Sequence, residues 1–405
     1  MQLLRPSQVY PPGKGNLVKA LSRLAPAAVA AVALAAIAVP VASASAATRP
    51  SAPASPVHQR DAQAGSAVFV MNDNTSGNAV AAYHRAPNGT LTLAGTFYTH
   101  GLGGALSGSV VDHTASQGAL TYDQASGLLF AVNPGSNNIS VFAVRGDQLR
   151  LTQVIWSGGE FPVSVTVHGN HAYVLNALGG GTLSGYRISG GRVSPIPGSS
   201  RSLGLGTTAA TAFTGTPGQV AFSPDGRSLY LTTKGSTNAI DVFAVHPDGT
   251  LGSPTVNTLA GDVPFALAFD QAGQVIASEA GPNAVATFSV RHGGVLSQLA
   301  VSDTGQLSTC WVIPDGRFFF ADNAASGSVS RYSVSSSGRL TELGNTTTNA
   351  GTVDAATAGN GRFLYVQTGG AGIVDEFAVG ANGSLTPIGS VTVAGAVGGE
   401  GIAAS

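Results

Sequence analysis

Seven short apolar runs in this chain each end on a polar residue: "VFVMN", "LFAVN", "AYVLN", "LYLTT", "VIASE", "FFFAD" and "LYVQT". The last positions are Asn72, Asn133, Asn176, Thr233, Glu279, Asp322 and Thr368. If the runs are equivalent strands of a closed array, these residues form a ring at one depth. Glu279 and Asp322 would then stand on neighbouring units. Two nearby carboxyls can push one pKa upward and so supply a general acid or base. Asn133, Asn176 or backbone N–H groups would polarise a substrate carbonyl, and Asn72 and Thr233 complete the polar ring around a ligand. In the plainer alternative each side chain caps its own turn, which suits Asn and Thr well and Glu279 less.

A second set of residues falls where the innermost strands would begin and would line a central channel: Gln117, Glu160, Phe161, Gln219, Asp262, Phe265, Thr309, Trp311, Asp354 and Glu400. Asp354 offers a ligand contact. Trp311, in "STCWVIPDG", is either a stacking platform for a ring-shaped ligand or packing core. Cys310 has no His placed by spacing to activate it and reads as an inert thiol. His113 is the histidine placed for acid–base work, the alternative being a solvated loop side chain. His168 and His171 flank a tight turn and are too few for a metal, so no metal and no cofactor is expected. The chain has no Gly-x-Ser-x-Gly elbow, no Walker loop and no His-Glu-x-x-His. "GLGGAL" near Gly101 matches a dinucleotide loop in glycine count, with no βαβ unit around it.

The elements that must position these residues come from a repeat. One kind of turn recurs as "DQASG", "VHGNH", "SPDGR", "DQAGQ", "IPDGR" and "GNGR". A second kind alternates with it: "APNGT", "VRGDQ", "SGGRV", "HPDGT", "RHGGV", "SSSGR" and "GANGS". Both recur at about 45 residues, a repeat-array period. Between them lie alternating apolar–polar runs such as "NISVFAVR" and "NAIDVFAV", the signature of strands. Pro fixes φ and Gly supplies the left-handed position that closes each hairpin. Four short strands per repeat predict an all-β fold, a seven-bladed β-propeller of four-stranded antiparallel blades. The first-type turn is one short of the second. That is explained if "GGEGIAAS" at the C-terminus pairs with "SAVFVMNDN" and closes the ring, removing open sheet edges. A sandwich pair or an open solenoid is the rival architecture.

Two long glycine-rich loops, Thr99–Gly118 and Pro195–Thr216, fall on the face opposite the tight hairpin turns. Long loops on a rigid scaffold are the usual seat of binding, which places the expected site at the central mouth on that face.

Composition agrees. Of 405 residues only 10% are charged, the net charge is -1, and Gly numbers 55. No Lys/Arg cluster is present, which argues against nucleic acid as a partner. One cysteine excludes an internal disulfide. Residues 1–46 read as a signal peptide: Lys14, Lys19 and Arg23 precede "LAPAAVAAVALAAIAVPVASASAA", with cleavage expected after Ala46, or after Ala44 as second choice. An uncleaved anchor, and with it membrane contact, is the alternative. Residues 47–65 are Pro-, Ala- and Ser-rich and read as a disordered linker, leaving 66–405 for the propeller. The expected location is secreted, periplasmic or cell-surface. A monomer is expected, with a small-molecule or carbohydrate-like ligand as its partner.

"VAFSPDGRSLYLTTKGSTNAIDVFAVHPDGTL" resembles the lactonase family of seven-bladed propellers, which includes propeller-type 6-phosphogluconolactonases and carboxymuconate-lactonising enzymes. The likeness runs through "SEAGPNAVATFSV" and "TCWVIPDGRFFFADNAASGSVSRYSV" to "GNGRFLYVQTGGAGIVDEFAVGANGSL", the pattern of secreted bacterial lactonase-like members. It implies hydrolysis or formation of a lactone ring, with Glu279 or Asp322 as base. A non-catalytic binding or scaffold propeller of the cell surface is the other function compatible with the same repeats. Enzymatic members carry a His-Pro-His type element where an early inner strand begins. Here the corresponding starts read "SQGALTYD" and "EFPVSVTV", and Arg201 is the one Arg near the expected mouth. A phosphorylated lactone would want more cations than that.

Overall fold

The computed structural model describes residues 66–405; the leader and linker read for 1–46 and 47–65 lie outside the described residues. Seven antiparallel sheets follow one another along the chain, each beginning at an innermost strand and stepping outward. Blade two illustrates the unit, with strands Leu120–Asp123, Leu128–Asn133, Asn138–Arg145 and Gln148–Trp156. Blade one is composite. Ile402–Ala404 is its innermost strand and pairs with Ala67–Met71, in the register Val68↔Ala404, Phe69↔Ala403 and Val70↔Ile402. Met71 N–H also donates to Gly401 O at 2.8 Å. The tail thus closes the ring as the turn count predicts.

Strand alternation makes each blade two-faced, and both faces are covered by neighbouring blades. The second strands are therefore apolar on both sides: Ala67–Met71 and Leu128–Asn133 are buried along their whole length. Outer strands alternate, as in Leu251–Thr258, because only one of their faces is covered. The second-type turns press on the preceding blade. Tyr365 of blade seven donates its hydroxyl to Gly89 O at 2.6 Å, and a Cβ at Gly89 would sit 2.4 Å from the Phe363 ring. With φ at +93°, Gly89 is required by both conformation and space.

Blade three departs from the unit. Its outer edge is split into Arg192–Pro195 and Arg201–Ser202, both paired with Thr182–Ser189. The segment expected as one loop over Pro195–Thr216 therefore contains a short strand and a one-turn helix at Ala212–Gly215. The innermost strands carry bulges near their starts, between Pro162 and Ser164, Pro264 and Leu267, Thr309 and Trp311, and Thr352 and Ala355. A bulge re-aims side chains locally, and these four sit beside the axis.

Candidate functional site

The mouth on the long-loop face is filled by one of the loops expected to frame it. Asp112–Ser116 folds into the top of the channel, with Asp112, Thr114, Ala115 and Ser116 at most 1% exposed. The Asp112 carboxylate organises this plug by accepting from Thr114 N (2.9 Å), Ala115 N (2.8 Å) and Ser116 N (3.2 Å). Close approach explains its glycines: a Cβ on Gly103 would lie 2.1 Å from Asp73 O. Four blades then grip the plug. Trp311 Nε1–H of blade six donates to Ser116 O at 2.6 Å, and Ser116 Oγ donates to Val163 O of blade three at 2.8 Å. Gln117 N–H donates to Gly218 O beside blade four, and His113 N–H to Gly398 O in the tail that enters blade one. Gln117 also spans the channel, its amide donating to Val312 O and accepting from Val312 N.

Beneath the plug lies an axial cavity of about 280 Å³. Its lining includes Gln117 and Asp354 at the plug end and Thr121, Thr166, Ala221 and Pro314 toward the tight-turn face. Asp354 is 4% exposed whereas Pro314 is exposed, so the cavity opens away from the long loops. Access is on the face opposite the expected one. Repeat spacing tells which face a loop leaves from, and says nothing about whether it folds back over the axis.

Asp354 stands in the blade-seven bulge at φ +43°, a left-handed conformation that Asp tolerates better than most residues. Its Oδ1 accepts from Ala355 N at 2.9 Å and its Oδ2 from Ile402 N at 3.2 Å, in the ring-closing strand. Burial raises its pKa to about 7, against the opposing pull of Glu400 and these N–H groups. Glu400 is fully buried and its pKa is pushed well above the carboxylate range, by desolvation first and by the charges of Asp354 and Asp112 next. Desolvation thus favours the protonated form of Glu400 beside Asp354, a coupled carboxyl pair. Glu400 Oε2 accepts from Thr114 Oγ1 at 2.6 Å and from Ser116 Oγ at 3.1 Å, tying the pair to the plug.

The other sequence candidates occupy separate places. Glu279 pairs in register with Pro264, the place that Asn323 occupies opposite Thr309. Asp322, opposite Trp311, is one residue earlier, so its side chain leaves the opposite sheet face. Glu279 and Asp322 are therefore not brought together. Burial lifts Glu279 to about 7, with Asp262 adding to the rise. Asp322 is fully buried and lifted well above the ordinary range, by desolvation and then by Asp354. "FFFADN" ends on two polar residues, and the sequence pattern alone points to the first. Asn323 is the structural counterpart of Asn133: its Nδ2 donates to Ser330 Oγ at 2.9 Å as Asn133 Nδ2 does to Ser140 Oγ at 2.8 Å.

Asn72, Asn133, Asn176 and Thr233 spend their polar atoms on the fold. Asn72 Oδ1 accepts from Asn74 N and Ala79 N. Asn133 Nδ2 also donates to Asn138, and its Oδ1 accepts from Asn78. Asn176 donates to Ser157 O and Thr182 O, and Thr233 donates to Ala239 O. Trp311 is 2% exposed and edge-on to Phe265 at 5.0 Å between ring centroids, so its ring faces core. His113 Nδ1 faces Asp73 Oδ2 at 3.6 Å. The contact raises His113, while burial lifts Asp73 to about 7. This pair lies at the plug's outer side and does not line the axial cavity. Burial pushes the Cys310 thiol up to about 12, which keeps it protonated.

Lys234 is a residue the sequence reading passed over. It is 1% exposed, and its Nζ donates to Ala115 O (2.7 Å), Phe213 O (3.0 Å) and Thr216 Oγ1 (3.2 Å), 5.2 Å from the Phe265 ring centroid. Desolvation lowers its pKa to about 8 against the support of Asp112. A signal existed: Lys234 is the single lysine after Lys19.

Seven antiparallel sheets around a plugged axis, six of four strands and one with its outer strand split in two, define a seven-bladed β-propeller with an axial cavity. Residues 192–299 match the family described as "Lactonase, 7-bladed beta-propeller", in agreement with the resemblance carried by the repeats. No curated protein sequence matches the chain. Among solved structures, the chain is similar to a putative 6-phosphogluconolactonase from Bacteroides uniformis, with 20% identity and TM-score 0.66 over 82% of this chain and 97% of that one. It is likewise similar to a periplasmic gluconolactonase from Pseudomonas aeruginosa, with 17% identity and TM-score 0.67 over 83% and 98%. At these identities the likeness is one of fold.

Proposed function

We propose that this chain is an exported hydrolase that opens a lactone ring in the axial cavity, with Asp354 as general base. One observation carries the reading: Asp354, coupled to the buried Glu400, lines the closed end of a cavity open to solvent at the other. A base poised near neutral pH is what water activation needs. In this reading Asp354 takes a proton from water as the water oxygen bonds to the lactone carbonyl carbon. Gln219, on the cavity wall, has Oε1 held by Leu267 N at 2.6 Å, which leaves its Nε2 hydrogens for the developing oxyanion. Collapse breaks the ring C–O bond, and the leaving alkoxide takes the proton back from the carboxyl pair, giving a hydroxy acid. The lactonase match and the gluconolactonase names of similar structures support the reaction class, and the N-terminal leader pattern supports export.

A second reading, a non-catalytic binding propeller, is favoured by the filled mouth and by the backbone donors already on both Asp354 oxygens. A lactone-hydrolysis screen of the purified protein separates the two. Turnover lost in Asp354→Asn supports the hydrolase; no turnover, or equal turnover in Asp354→Asn, overturns it.

A further inference from the structure

We infer that the ligand of the axial cavity is a small uncharged ring, and that anionic, phosphorylated lactones are excluded. This rests on the hydrolase reading for the reaction but on the cavity wall for the preference. Among its lining residues Asp354 is the one ionisable side chain, and it is an acid. The rest of the wall is apolar, amide or hydroxyl: Leu120, Val165, Val220, Ile313, Ala355 and Ile402 alternate with Gln117, Gln219, Thr121 and Thr166. The polar members are largely engaged. The Gln117 amide is bonded at both ends to Val312, and Thr121 Oγ1 donates to Val165 O at 2.7 Å.

Two cations of the surrounding blades already face other groups. Lys234 spends its ammonium on three oxygens of the plug and the segment beside it. Arg317 lines a neighbouring groove that shares Pro314 with the cavity, and its guanidinium faces Gly361 O at 3.3 Å and Asp315 at 3.8 Å. A phosphate inside the cavity would meet no cation among the lining residues and would approach Asp354. Like-charge juxtaposition in a partly desolvated site lowers affinity on the order of 100-fold. The volume, about 280 Å³, is at the small end for ligand pockets and suits one ring.

The test uses hydrolysis-resistant probes, so that it reads binding apart from chemistry. Gluconolactam and its 6-phosphate are titrated into the purified protein by calorimetry, and the two corresponding lactones are assayed for turnover. The expected result is saturable binding of the neutral lactam, at least ~100-fold tighter than its phosphate, with the same order in kcat/KM. Thr166→Lys, which puts a cation in the wall, is expected to narrow the gap by about tenfold; Ala221→Lys serves if that variant does not fold. Equal or tighter binding of the phosphorylated lactam, or binding of neither, overturns the inference. Binding of the neutral lactam without lactone turnover leaves the preference standing and removes the hydrolase reading instead.

Discussion

Lys234 Nζ donates to Ala115 O at 2.7 Å, which joins the second-strand end of blade four to the plug that closes the channel. The bond matters because both partners are buried. Lys234 is also the cation nearest in effect to Asp112, the carboxylate that shapes the plug. Replacing it by Met leaves the Ala115 and Phe213 carbonyls and Asp112 without their charged partner. Such a loss costs about 3 kcal/mol. Urea denaturation of Lys234→Met is expected to show a lowered midpoint, and hydrogen exchange at 114–117 to quicken. An unchanged midpoint together with unchanged exchange would show that Lys234 does not hold the plug.

Asp354→Asn keeps the shape of the side chain and removes the base. The expected drop in lactone turnover is roughly 10²–10⁴-fold, with the circular dichroism spectrum retained. In the parent protein, turnover should rise with pH through the neutral range, with an apparent pKa near 7 that belongs to the Asp354–Glu400 pair. Glu279→Gln should leave the rate within about twofold, since Glu279 lines no part of the cavity. Turnover that survives in Asp354→Asn while Glu279→Gln abolishes it would move the chemistry to Glu279.

Stability should fall as the solution becomes alkaline. Burial raises Asp73, Glu279 and Asp354 to about 7 and pushes Glu400 and Asp322 well above the ordinary range. A carboxyl whose folded pKa exceeds its unfolded value binds more protons when folded. Its contribution is complete below the unfolded pKa, about 4, and is lost as pH climbs through the folded value. Lys234 acts in the opposite direction between about 8 and the unfolded lysine value, and it is a single group. The thermal midpoint is therefore expected to be higher at pH 5 than at pH 8, with the decline concentrated between them. A midpoint that increases from pH 5 to pH 8 would contradict the protonated state assigned to these acids.

The architecture was legible because its determinants are local. Turn glycines, alternating strands and the unequal count of turns each follow from backbone geometry, and the count alone foretold that Ile402–Ala404 would lie beside Ala67–Met71. The site was less legible because it depends on where a loop goes and on single-residue offsets. Asp354 and Glu400 were placed at the channel by register, but their pairing follows from the blade-seven bulge and the entry of the tail. Asp322 and Asn323 are adjacent, and only pairing opposite Trp311 and Thr309 tells which shares the place of Glu279. Asp112 sat next to a residue singled out, His113, yet nothing in "VVDHTASQG" says that its backbone N–H groups turn back to meet a carboxylate.

The ring closure and the site share atoms, which makes the tail a joint test of both. Ile402 N–H is at once a donor to Asp354 Oδ2 and part of the strand that covers Val68 and Val70. Ser405 adds a hydroxyl that accepts from Ala67 N at 2.9 Å, and its carbonyl accepts from Arg85 at 3.4 Å. Deleting Ile402–Ser405 would expose the edge of Ala67–Met71, whose side chains are fully buried, and leave its ladder groups unpaired. The expected cost is at least about 3 kcal/mol from lost ladder bonds and apolar burial together. An open edge also invites pairing between chains. The truncated chain should therefore melt at a lower temperature and elute in part earlier than the full chain in size-exclusion chromatography, whereas Ser405→Ala, which removes one hydroxyl, should elute with the full chain. Equal melting of the truncated and full chains would mean that the tail strand does not close the ring in solution, and the assignment of Asp354 would lose its structural footing with it.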